Sequence, residues 1–339
     1  MANSDQLKAL IKSYSENDDV RFYAIAMQVA AREATLGHGK LAQELRSLID
    51  DAKLKKEPLV TRMPVPLAKP RGELSSLLSV SYPTIRLPEM VLDKELSGRL
   101  SRILREQRQS DKLRAHGLAA RRKLLLIGPP GTGKTMSANA LAGELSLPLF
   151  LVRMDSLVTK FLGETAAKLR LIFDTLNQTR GVYLFDEFDS IGTQRGASHD
   201  VGEMQRVLNS FLQFLEQDDS QSLIVAATNQ PKALDYALFR RFDDVIEYTL
   251  PDKTLVVKLL KNRLALYVEK SFNFAIVADE AKSLSFADIS RACEDAVKDA
   301  LIHDRTKIFI EDITGAISER KVIKEKCFYP QDSNDESSR

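Results

Sequence analysis

The stretch Lys123–Thr135 reads KLLLIGPPGTGKT, an apolar run that breaks at once into a Pro/Gly-rich turn and ends on Lys134 and Thr135. Gly128, Gly133, Lys134 and Thr135 fit the spacing G-x-x-x-x-G-K-[ST] of a phosphate-binding P-loop. Glycines let the backbone curl so that successive N–H groups face an anion, and a helix starting there adds the positive end of its dipole. Lys134 supplies a point charge for β- and γ-phosphates, and the Thr135 hydroxyl can ligate Mg²⁺. The same glycines would serve a plain strand–loop–helix turn. Residues downstream bear on that choice.

A second apolar run, Val182–Phe185, ends in Asp186-Glu187. A carboxylate at the C-terminal end of a buried strand beside a P-loop is placed to hold Mg²⁺, and its neighbour can polarise an attacking water. Acidic pairs also cap loops, so the pair gains its meaning from the P-loop. Ile224–Thr228 then delivers Asn229, whose amide could sense a γ-phosphate or orient the water, or could simply favour the turn into Pro231. The segment Leu234-Asp235-Tyr236-Ala237-Leu238-Phe239-Arg240-Arg241-Phe242-Asp243 follows. Its two arginines read either as a solvated face paired with Asp243 and Asp244 or as guanidinium groups for a transferring phosphoryl group, supplied to a neighbouring subunit.

These groups need a frame. Leu124–Ile127, Leu147–Met154, Gly181–Asp186, Ser222–Asn229 and Val245–Leu250 are strand-like, with helical patterns between them, notably Glu164–Leu176 and Gly202–Leu215. The alternation predicts an α/β fold with a parallel sheet covered by helices on both faces. After Pro251 the strands stop. Leu255, Leu259, Leu260 and Leu264, then Ile289, Cys293, Ala296, Val297 and Ala300, repeat at helical spacing, so residues 251–328 are expected to form a small helical lid. Ahead of the 89–250 α/β unit, residues 1–56 show three amphipathic helical patterns, a small bundle that is either a packing appendage or a recruitment module. Between them, residues 57–88 carry prolines at 58, 64, 66, 70, 83 and 88 and are expected to be a tether. The tail 329–339 is polar and expected to be disordered.

At 339 residues the chain has length for two or three units. A formal charge of +2 gives no electrostatic case for nucleic acid or a membrane surface. Cys293 and Cys327 offer neither a disulfide framework nor metal-ligand spacing, and the four histidines are scattered, which points to a reducing compartment. Asp5 stands early without an apolar leader core, and no apolar run reaches membrane-spanning length, so a cytoplasmic location is expected.

The motifs together resemble the AAA family of ring ATPases across most of residues 90–325. Gly-Pro-Pro-Gly-Thr-Gly-Lys-Thr, Phe-Asp-Glu-Phe-Asp, Ala-Thr-Asn-Gln-Pro and Leu-Asp-x-Ala-Leu-Phe-Arg-Arg-Phe-Asp all match that family, the last two corresponding to its second region of homology. The resemblance implies a P-loop NTPase fold, with the Asn229 strand between the P-loop and Asp186 strands. It implies an ATP site at Gly128, Pro129, Pro130, Gly131, Thr132, Gly133, Lys134, Thr135 and Met136, with Mg²⁺ on Thr135 and Asp186. Glu187, Asn229, Arg240 and Arg241 are the implied catalytic residues, the arginines acting in trans within a homo-hexamer. Lys160-Phe161-Leu162, followed by Gly163-Glu164, is similar to the first pore loop of members that thread protein substrates; Phe161 could instead be a core residue of the following helix. Gly192–Val201 is a candidate second pore loop. Ser285-Phe286-Ala287-Asp288 departs from the family's Gly-Ala-Asp near the adenine, with Asp288 expected to cap the helix.

The implied activity is ATP hydrolysis coupled to remodelling or unfolding of protein substrates. A nucleotide-gated scaffold or switch is the alternative, and a nucleic-acid motor is disfavoured by the charge balance. Neither His-Glu-x-x-His nor Gly-x-Ser-x-Gly occurs. The chain is also similar to compact bacterial members encoded beside a subtilisin-like protease, which implies a separate protease as a further partner.

Overall fold

The computed structural model describes residues 70, 72–157, 162–191, 200–234 and 236–328, with Ile25, Ala26, Val29 and Gln43 as isolated helical positions before them. The rest of the expected N-terminal bundle, the tether up to residue 69 and the tail 329–339 lie outside the described residues. Two compact units divide the chain, Met1–Arg62 and Met63–Arg339, and the sheet with its covering helices belongs to the second.

In chain order this unit runs α1 (Leu74–Leu77), β1 (Leu78–Ser81), α2 (Lys94–Arg108), α3 (Ser110–Ala115), β2 (Lys123–Ile127), α4 (Lys134–Leu145) and β3 (Leu149–Val152). It continues with α5 (Met154–Leu157), α6 (Leu162–Gln178), β4 (Val182–Phe185), α7 (Asp200–Gln217), β5 (Leu223–Thr228), α8 (Tyr236–Phe239) and β6 (Asp244–Glu247). Four helices close it: α9 (Lys253–Leu264), α10 (Phe274–Glu280), α11 (Phe286–Ile302) and α12 (Ile310–Phe328).

The strands form one sheet in the order β1-β3-β4-β5-β2-β6. All pairs are parallel except β1 with β3. The inner strands VYLF and LIVAAT are apolar at nearly every position because both faces of a crossover-built parallel sheet are buried. Side chains alternate between two cores. Leu125, Tyr183, Phe185, Ile224 and Ala226 face α6 and α7, where Phe173 and Phe211 meet. Leu124, Leu126, Leu184, Val225 and Ile246 face α2 and α4. The expected strands and the placement of β5 between β2 and β4 are thus present, so the Asn229 strand does separate the P-loop and Asp186 strands.

Two findings extend the sequence reading. Inside the stretch expected as a tether, the chain makes the turn α1 and the edge strand β1, with Leu78 opposite Val152 and Ser81 opposite Leu149. Residues 71–82 contain no proline, and proline-flanked extended backbone is suited to a sheet edge. In the lid, α10 and α12 join the two helices whose spacing was legible. The four share their own core, built on Leu260, Val277, Ile289, Ala292, Ile313 and Ile317. Cys293 belongs to it, and burial pushes its thiol up to about 12, which suits packing rather than redox or metal chemistry.

Candidate functional site

The C-terminal ends of β2, β4 and β5 open onto a cavity of about 900 Å³ whose opposite wall is the lid. Pro130 to Met136, Asp186, Glu187 and Asn229 line one side; Leu259, Asn262, Arg263, Phe286, Ala287 and Arg291 line the other. A parallel sheet delivers its functional loops to one edge because every strand ends there.

β2 hands over to a turn in which Gly128, Gly131 and Gly133 all have positive φ (143°, 74° and 102°). The glycines answer to space as well as to backbone angle. A Cβ on Gly128 would sit 2.1 Å from the Tyr248 carbonyl oxygen, and one on Gly131 would sit 2.4 Å from Ser285 Oγ. Thr132 Oγ1 donates to the Pro129 carbonyl at 2.8 Å, bracing the curl. α4 starts directly at Lys134, so its unpaired N–H groups face the turn. Lys134 Nζ donates to the Gly128 and Pro129 carbonyls at 2.7 and 2.8 Å. Burial holds its ammonium below the usual lysine value, and the carboxylates of Asp186 and Asp189 pull the other way. A buried cation curled on its own loop is positioned to exchange carbonyl partners for an anion.

Thr135 Oγ1 donates to Asp186 Oδ2 at 2.6 Å, joining β2's helix to the end of β4. Glu187 follows at φ 50°, a left-handed conformation that L residues adopt at a cost, and its N–H donates to Asp186 Oδ1 at 3.0 Å. That turn sends the chain into a 3-10 turn, Phe188–Ile191. Phe188 is fully buried there, 4.7 Å from the Phe211 ring. Across the edge, Asn229 reaches the same cavity from β5.

The structure therefore gathers Pro130 through Met136, Asp186, Glu187 and Asn229 on one wall, with Gly128 and Pro129 tied to it through their carbonyls by Lys134. Arg240 and Arg241 are not on that wall. Both are exposed, and Arg241 pairs with Glu216 of α7. Lys160 and Phe161 lie outside the described residues, as does most of Gly192–Val201; Leu162 is described only as the first residue of α6.

Sequence reasoning missed three features. Ala287 N–H donates to the Gly131 carbonyl at 3.1 Å, so the lid's α11 starts directly on the P-loop. Its cap is Ser285, not Asp288: Ser285 Oγ accepts the Asp288 N–H, and Asp288 answers at the third position of a capping box. Ser-x-x-Asp before an apolar run was the legible signal. Phe286, the departure from the family pattern, lies on the cavity wall while packing on the lid core. The third is Asp189, the last residue of the Phe-Asp-Glu-Phe-Asp segment, to which the sequence assigned no role and which is buried beneath the edge.

A parallel α/β sheet with a glycine-rich turn into a helix on one inner strand, and a carboxylate pair ending another, defines a P-loop NTPase closed by a helical lid. Residues 124–250 match the ATPase family associated with various cellular activities (AAA). The uncharacterized AAA family ATPase y4kL of Sinorhizobium fredii is 32% identical, over 94% of this chain and 96% of its own length. The chain belongs to the AAA family and is an ATPase. It is also 32% identical to the ATP-dependent zinc metalloprotease FtsH of Lancefieldella parvula over 69% of this chain, and 36% identical to the proteasome-activating nucleotidase of Methanococcus maripaludis over 63%. The matched regions span 37% and 54% of those two longer relatives. Among the described residues, no helix is long and apolar enough to cross a membrane.

Proposed function

We propose that this chain is the ATP-hydrolysing subunit of a homo-hexameric ring that unfolds or remodels protein substrates by moving a pore loop. The observation that carries the reading is the convergence of the glycine turn, the Thr135–Asp186 pair, Glu187 and Asn229 on one cavity that the lid also lines. In it, the N–H groups of Gly131 to Thr135 and the Lys134 ammonium hold the phosphates of ATP, and Met136 lies beside the nucleotide. Thr135 and Asp186 fit Mg²⁺: two hard oxygen donors within 2.6 Å of each other, at the mouth of a phosphate site, leave the remaining positions for phosphate and water. The ion, when bound, draws charge from the β- and γ-oxygens. Glu187 accepts a proton as a water oxygen bonds to the γ-phosphorus and the bond to the ADP oxygen breaks. Asn229 orients that water. Arg240 and Arg241 reach the γ-phosphate of the adjoining subunit, which accords with their lying off the cavity wall of their own chain.

The names of the similar proteins support the choice of substrate, since one is an ATP-dependent metalloprotease and the other activates a proteasome. Here a separate protease, subtilisin-like by the resemblance, would receive the unfolded chain in the cytoplasm. The domain division proposed with it is a bundle at 1–56, a tether from 57 that gives way to the edge strand β1 within 57–88, an ATPase unit to 250 and a lid at 251–328. Phe161, which precedes α6 in the sequence, grips the substrate. Phe161→Ala should leave basal ATP turnover within a few-fold of wild type and abolish unfolding of a tagged protein. Were the ring a core residue instead, the substitution would cost about 3–5 kcal/mol and lower the melting temperature. A stable, hydrolysing variant that still unfolds its substrate would defeat the threading motor.

A further inference from the structure

The Phe-Asp-Glu-Phe-Asp segment continues past Glu187 to a carboxylate with no place on the cavity wall. The 3-10 turn Phe188–Ile191 carries Asp189, whose side chain lies beneath the sheet edge with the residue only 8% exposed. Its Oδ1 accepts the Thr228 hydroxyl at 2.8 Å and the Asn229 N–H at 3.3 Å. The Thr228 hydroxyl oxygen in turn accepts the Gln230 N–H at 3.0 Å. One carboxylate thus gathers three consecutive residues at the end of β5.

The sheet does not do this work. The last register pair between β4 and β5 is Phe185 with Ala226, so the ladder stops before Asp186, Glu187, Thr228 and Asn229. On its other side β5 stays paired to β2 as far as Ile127 with Thr228, and the Gly128 N–H donates to the Thr228 carbonyl at 3.3 Å. Asn229 is therefore tied to the P-loop by backbone pairing, and to the Asp186–Glu187 turn through Asp189. Phe188 anchors that turn in the core, so the tether is short and stiff at its origin.

We infer that Asp189 is a positioning residue that sets the spacing between Glu187 and Asn229, and through it the placement of the attacking water. It does not line the cavity, and it acts on the Lys134 ammonium through its charge. The inference rests on the proposed roles of Glu187 and Asn229. A misplacement of about 1 Å in a reacting group costs about 10²-fold in rate. Removing the tether should therefore lower kcat about 10–100-fold while KM and ATP affinity hold within about two-fold.

Four full-length proteins test this: wild type, Asp189→Ala, Asn229→Ala and the double variant, with Asp189→Asn alongside. Asparagine keeps an acceptor oxygen at the same place, so Asp189→Asn should recover most of the turnover that Asp189→Ala loses. If Asp189 acts through Asn229, Asp189→Ala should cost little further in the Asn229→Ala background. Equal losses in both backgrounds, with Asn229→Ala itself impaired, would overturn the inference and leave the role of Asn229 standing. Wild-type turnover in Asn229→Ala would instead remove the role of Asn229 and the inference with it. Should Asp189→Ala fail to fold, Thr228→Val, which removes the hydroxyl that Asp189 accepts, carries the same cycle. Loss of ATP affinity at unchanged kcat in either would count against a positioning role.

Discussion

The two ends of this sheet are built from the same residue types and treat them oppositely. At the N-terminal ends of the strands, charges close on one another. Arg122 pairs with Asp218, whose side chain is fully buried, while the N–H groups of Arg122 and Lys123 both donate to Asp243 Oδ2 at 2.7 and 2.9 Å. Arg99 pairs with Asp244 and donates to the Val245 carbonyl at 2.6 Å, and Arg121 lies 3.6 Å from the same Asp244. At the C-terminal ends, Lys134 is curled onto its own loop carbonyls, Thr135 and Asp186 face the cavity, and Glu187 takes a left-handed turn. A polar network whose members satisfy one another fixes the chain. One whose members can change partners is available to a ligand. A cluster's chemistry follows from which of these two states it is in, more than from which residues it contains.

The comparison can be broken most sharply at the arginines. Arg241→Ala should reduce ATP turnover by about 10³–10⁵-fold and leave nucleotide binding in place. Mixing this variant with Glu187→Gln subunits should restore part of the activity, because some interfaces then hold an intact glutamate facing an intact arginine. No recovery in rings shown to be mixed would put Arg241 with the self-paired charges, held by Glu216.

Glu187→Gln comes next. Turnover should fall by about 10²–10⁴-fold at unchanged ATP affinity, since the amide cannot accept the water's proton. Lys134→Ala should do the reverse, raising Kd first; isothermal titration with a non-hydrolysable analogue separates the two.

The opposite end should respond in stability alone. Asp218→Ala leaves the Arg122 guanidinium partly buried without its carboxylate and should cost about 3 kcal/mol, read as a lower urea midpoint at unchanged slope. ATP affinity of the folded fraction should not move. A change in Kd without a change in midpoint would erase the distinction between the two ends.

The smallest effect tests the seam between the cavity and the lid. Ser285→Ala removes the α11 cap and should cost about 1 kcal/mol, lowering the melting temperature by a few degrees. Ser285→Asp, which can still accept the Asp288 N–H, should lose less of the cap while crowding Gly131. Its ATP affinity therefore reports how closely the lid must sit on the P-loop.

Much of this protein can be read along the chain. The inner strands announced themselves because parallel strands buried on both faces are continuous apolar runs, and the phosphate loop because only glycine tolerates the φ values and contacts found at 128 and 131. Asp186, Glu187 and Asn229 were legible because each immediately follows such a run. Other features depended on neighbours far away in the chain. β1 is a strand because β3 offers it a free edge, which no local pattern records. Asp189 closes the Phe-Asp-Glu-Phe-Asp segment, but its role comes from Thr228 and Asn229, which reach it only once β4 and β5 lie side by side. Ser285 and Ala287 likewise touch the P-loop only once the lid has folded back over the cavity. Periodicity and backbone constraint are local and can be read along the chain, whereas a hydrogen bond between side chains distant in sequence exists only after the sheet has set their separation.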